Sequence, residues 1–125
     1  MVEISQEQFE HLVTQAIDAV PEPYKGQISN MAFFVESEPS IEQRTRLGLR
    51  PCQSLFGLYE GVPLPARNGN NAQLLPDRIT IFKNTHELHA DTQEQLRAQV
   101  VQTVWHEVAH YFGLDHDRID EIQNR

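Results

Sequence analysis

The chain has 125 residues, 39% hydrophobic and 22% charged, and a formal net charge of −8. That length suits one domain, residues 1–125, built around one core but too small for a deep, two-walled protease cleft. The composition excludes a largely disordered chain, and the negative charge argues against an extended phosphate backbone as the routine partner.

The first residues, MVEISQEQFEHL, are acidic and polar, without the basic region and apolar core of a signal peptide. No apolar run is long enough to span a bilayer, so the expected location is cytoplasmic, with no membrane partner. Ser5 followed by Gln8 makes a capping-box pattern. Phe9, Leu12, Val13, Ala16, Ile17 and Val20 then recur at helical spacing up to Pro21, which predicts an amphipathic first helix. Met31 to Val35 reads as a first strand. Pro39, Pro51 and the charges between them mark a connection with room for a short helical turn. Within it Arg44, Arg46 and Arg50 read as a solvated face rather than a basic groove, and Cys52, beside Pro51, reads as a small packed residue. With one cysteine there is no intrachain disulfide and no closed thiolate zinc site.

Leu55 to Tyr59 predicts a second strand, and Gly61 to Pro76, rich in Pro, Gly and Asn, a long loop. Arg78 to Lys83 predicts a third strand, with Ile79 and Ile81 on one face and Thr80 and Phe82 on the other. His86 and His89 read as a solvated loop. Asp91 with Glu94 marks the start of a long helix whose apolar face is Leu96, Val100, Val104, Val108 and Phe112, widened by Val101 and Trp105.

Residues 106–116 of that region, HEVAHYFGLDH, carry the chemistry. His106 and His110 are four apart, so on a helix they lie one above the other and can share a metal ion. Glu107 stands where a metal-activated water needs a general base. Gly113 is the residue type best able to leave a helix through a left-handed turn, and two residues later His116 returns as a third ligand. Three histidines with one position open is the pattern of catalytic zinc, one ion per chain. The expected reaction is hydrolysis of an amide or similar acyl bond. Asp115 and Asp117 flank the third histidine, and either could accept a hydrogen bond from a metal-bound imidazole or cap a helix end.

With LYEGVP at Leu58 to Pro63, LPDRITIF at Leu75 to Phe82 and the helix through His116-Asp117-Arg118, the chain resembles the small bacterial zincin-like metallopeptidases sometimes called the minimal metalloprotease-like family. The resemblance runs from about Met31 to Ile122. It implies an α/β (α+β) fold, a small mixed sheet packed against a long zinc-binding helix and an N-terminal helix, and peptidase activity on a peptide or protein substrate. Members of that family carry Asp or His at the third ligand position, so Asp115 or Asp117 stands as an alternative to His116.

Two further readings share these residues. Metzincin proteases place a methionine turn beneath the metal, and no Met follows Met31 here, so the floor of the site must come from elsewhere and a protein partner could complete the cleft. The rRNA-maturation endoribonucleases resemble the chain in His106, His110, Gly113, Asp115 and His116, but usually have Gly where Glu107 stands. A zinc-dependent endoribonuclease-like hydrolase and a zinc-bound, non-catalytic interaction module are therefore the alternatives to the peptidase.

Overall fold

The computed structural model describes residues 1–28, 31–61 and 76–123; the side chains of His116, Asp120 and Gln123 lie outside this description. Most of the long loop expected between the second and third strands, residues 62–75, therefore falls outside it. Helix α1 (Gln6–Asp18) opens with the capping box at Ser5, whose hydroxyl accepts from the Gln8 N–H while the Gln8 side chain accepts from the Ser5 N–H. After a 3-10 turn at Lys25–Gln27 come strand β1 (Met31–Glu36), helix α2 (Ile41–Leu47), strands β2 (Gly57–Glu60) and β3 (Asp77–Phe82), and helices α3 (Lys83–Leu88), α4 (Gln93–Tyr111) and α5 (His116–Gln123). Among the described residues, five helices and a three-stranded mixed sheet bear out the mixed α/β class. Among the described residues no helix is long and apolar enough to cross a membrane.

The sheet order is β1-β3-β2, with β1 parallel and β2 antiparallel to β3. The central place of β3 buries both of its faces. Ile79 and Ile81 enter the main core, and Thr80 and Phe82 on the other face are equally buried. That second face is covered in part by Arg78, which lies 4.0 Å over the Phe34 ring, and Gln43 of α2 donates to Glu60 at the β2 edge. The main core joins Phe9, Val13 and Ala16 of α1 to Leu96, Val100, Val104 and Val108 of α4. Burial of one stripe against α1 and the sheet turns the opposite edge of α4 toward the β2 side.

Four local expectations are corrected. Helix α2 is a full two turns with its own capping box, Ser40 with Gln43, where the sequence suggested only a helical turn. The N-cap of α4 is Thr92, not Asp91: Thr92 holds extended backbone and its hydroxyl accepts from the Gln95 N–H at 3.1 Å. Cys52 is exposed rather than packed. His86 is not a solvated loop residue; it sits on α3, wholly buried against Phe9 and Phe56.

Candidate metal centre and cleft

Seven residues bring the chemistry to one place. Gln99, Gln102, Thr103, His106 and Glu107 of α4 face Phe56 and Gly57 at the start of β2 across a cleft of about 380 Å³. His106 and His110 are one helical turn apart, a rise of about 6 Å, on the same side of α4. Glu107 is nearly buried, 12% exposed, and its Oε1 lies 3.3 Å from His110 Nδ1. That hydrogen bond raises the His110 pKa above its ordinary value; partial burial opposes the rise and the Glu107 charge adds to it.

Gly57 explains how Glu107 reaches this position. A Cβ there would lie 2.8 Å from Thr103 Cγ2, 3.2 Å from Glu107 Cγ and 3.3 Å from the Thr80 carbonyl oxygen. Only a residue without a side chain lets β2 approach α4 so closely, and the carboxylate stem packs against that bare backbone. Sequence reading missed Gly57, Phe56 and Gln99, because the partners are some 40–50 positions apart and no local pattern links them.

The far end of α4 is closed by a glycine cap. Gly113 has φ 72°, its N–H donates to the His110 carbonyl at 3.0 Å, and the Leu114 N–H donates to the Ala109 carbonyl at 3.1 Å. The left-handed turn expected at Gly113 is present, and the chain re-enters a helix at His116. The His116 imidazole lies outside the described residues; of the expected site residues the structure describes His106 and Glu107, which line the cleft, and His110, in contact with Glu107. Among the described residues no three His, Cys, Asp or Glu side chains form a metal-holding group. The donors that are described, two imidazoles with a carboxylate beside them and no thiolate, suit a borderline ion such as zinc.

Asp115 has structural work of its own: its Oδ1 accepts from the Arg118 N–H at 2.8 Å and caps α5. Asp117 is exposed. Two of the three arginines of the expected solvated face are engaged internally: Arg44 donates to the Gln53 carbonyl at 2.6 Å, and Arg46 is paired with Glu60.

A mixed sheet flanked by a helix that carries H-E-x-x-H on its cleft side is the arrangement of a zincin. The chain belongs to the zincin-like metallopeptidase family, whose family model matches residues 28–125. That membership implies zinc binding and a peptidase type of hydrolysis in general terms, and bears out the resemblance read from the sequence. No curated protein matches the chain.

Proposed function

We propose that the protein is a zinc-dependent peptidase in which His106, His110 and His116 hold one ion and Glu107 is the general base. The observation that carries this reading is the position of Glu107, facing the cleft between two histidines of α4 and held against Gly57. Bound there, zinc would supply a positive charge that acidifies water and polarises a scissile carbonyl. Glu107 would take the proton from the attacking water and return it to the departing amine, a transfer that typically contributes 10²–10⁴-fold, of order. His110, with Nδ1 turned to Glu107, would coordinate through Nε2. Phe56, more than a third exposed at the cleft, offers an apolar wall for a substrate side chain.

A peptide or protein substrate agrees better with the site than RNA does. The net charge is −8, and of Arg44, Arg46 and Arg50, the basic cluster of the sequence, the first two are already bonded within the chain. The test is metal content by elemental mass spectrometry together with cleavage of a peptide library. About one zinc per chain is expected, lost in His110→Ala; Glu107→Gln should keep the zinc and lose cleavage. Unchanged turnover in Glu107→Gln would remove the base from that residue. Zinc binding with no cleavage of peptide or RNA would leave the interaction module.

A further inference from the structure

We propose that the side-chain oxygen of Gln99 is a substrate-recognition group, accepting a hydrogen bond from a backbone N–H of the bound peptide about three residues from the scissile bond. The proposal rests on the reading of α4 as the catalytic helix of a peptidase.

Gln99 lines the same cleft as His106 and Glu107, two turns earlier on the helix. Its orientation is fixed from behind by His86. The Gln99 Nε2 lies 3.0 Å from the His86 carbonyl oxygen and 3.1 Å from His86 Nδ1. A carbonyl oxygen can only accept, so the Gln99 atom facing it is the NH2 group rather than the oxygen. The same NH2 reaches Nδ1, which therefore accepts and leaves the ring proton on Nε2. His86 is wholly buried between Phe9 and Phe56, so it holds this geometry as a neutral ring in a fixed place.

With its nitrogen anchored inward, the carboxamide turns its oxygen the other way. Among the described residues no group donates to Gln99 Oε1, and the residue is only partly buried. An anchored acceptor at a cleft wall is a pre-organised recognition group, because the cost of fixing its rotamer is met within the folded protein. Of the other residues lining the cleft, Phe56, Gly57, Gln102 and Thr103 carry no charge, and the carboxylate, Glu107, lies two turns further along the helix; an uncharged surround suits a neutral donor. Gln99 and His106 are seven residues apart, about 10 Å along the helix axis. An extended peptide covers that distance in about three residues.

The probe is a peptide that the zinc-loaded wild type cleaves, taken from a proteome-digest library and resynthesised with each backbone amide N-methylated in turn. Its binding to Glu107→Gln protein is read by fluorescence anisotropy, and kcat and KM are measured on the active enzyme. One N-methyl position, about three residues from the cut, should weaken binding about five-fold, the size of one neutral hydrogen bond. That penalty should vanish with Gln99→Lys, which keeps a donor for His86 and has no acceptor, and also with Gln99→Met. Thermal melting confirms that both variants fold. The same penalty in wild type and in the variants, or no sensitive position at that distance, overturns the proposal. A wild type that loads zinc and cleaves no peptide overturns the peptidase reading itself, and this inference with it.

Discussion

His86 gives the protein an acid limit that is independent of its metal. The imidazole is 0% exposed, and burial pushes its pKa down from the ordinary 6.5 to about 4; the nearby Phe56 carbonyl opposes that fall and His89 adds to it. The ring proton already sits on Nε2, so an added proton would fall on Nδ1, where it meets the Gln99 NH2 group, a donor that cannot accept it. Between pH 6.5 and 4 the unfolded chain binds a proton at this residue and the folded chain does not. Stability is therefore full above 6.5 and falls as the pH drops toward 4. At about 1.4 kcal/mol per pH unit the loss reaches about 3 kcal/mol, or on the order of 10 °C in melting temperature for a chain of this size. Urea unfolding between pH 7.5 and 4 would measure it, with a chelator present so that protons displacing a metal do not contribute. The control is His86→Asn, which keeps an acceptor near the Nδ1 position and does not titrate. Its curve should start lower, because the ring is lost, and should converge on the wild type as the pH falls. Parallel curves across that range would refute the assignment of a neutral buried His86.

Gly57→Ala should cost about 2 kcal/mol by overpacking against Thr103 and the Thr80 carbonyl, measured by urea unfolding. Adding Thr103→Ser removes the 2.8 Å clash and should recover most of that stability, while Glu107, still pressed at 3.2 Å, keeps kcat low. His116→Ala should weaken zinc binding by an order of magnitude or more in a competition titration. Unchanged affinity would transfer the third ligand to Asp115 or Asp117.

How much of this was legible in the sequence depended on whether the signal was local. The capping box at Ser5, the apolar stripe of α4 and the glycine exit at Gly113 each lie within one or two turns, and each appears as expected. The capping box at Ser40 was equally readable, but α2 lacks an apolar stripe: Ile41 is 84% exposed, and no residue of the helix is buried. Helix α3 offered less still. Its N-cap, Phe82, offers no side-chain hydrogen bond, and it buries Thr85, His86 and Glu87, polar residues that pattern reading assigns to solvent. Glu87 is buried because its carboxylate accepts from the Ile4 N–H at 2.8 Å and from Lys83 at 2.9 Å, and those partners are visible only in the folded chain. Gly57 and Gln99 belong to the same class, since their roles exist only once β2 and α3 pack against α4.

The absence of a methionine turn leaves the floor of the site to other elements, and the packing of α5 shows what holds the segment that bears His116. Trp105, one residue before His106, is buried on the core side of α4 and its Nε1 donates to the Ile119 carbonyl at 3.3 Å. Ile119 and Ile122 belong to the same core cluster as Val104, Trp105 and Val108 of α4, and Asp115 caps the helix they belong to. The segment bearing His116 is thus fastened directly to the helix bearing His106 and His110. Tyr24 adds to this support, its ring tilted against Trp105 at 5.5 Å and against Phe112, the C-cap of α4, at 5.1 Å. With His116 assigned to the metal, Trp105→Phe should have an effect out of proportion to its size. Loss of one hydrogen bond and a little ring volume costs about 1 kcal/mol of stability. The same loss loosens the seat of a ligand, so zinc affinity should fall several-fold beyond what a comparable core change far from α5, such as Val13→Ala, produces. Competition titration with a fluorescent chelator measures it against urea unfolding of the same variants. Equal zinc affinity in Trp105→Phe and wild type would show that the Ile119 and Ile122 contacts alone place the third ligand.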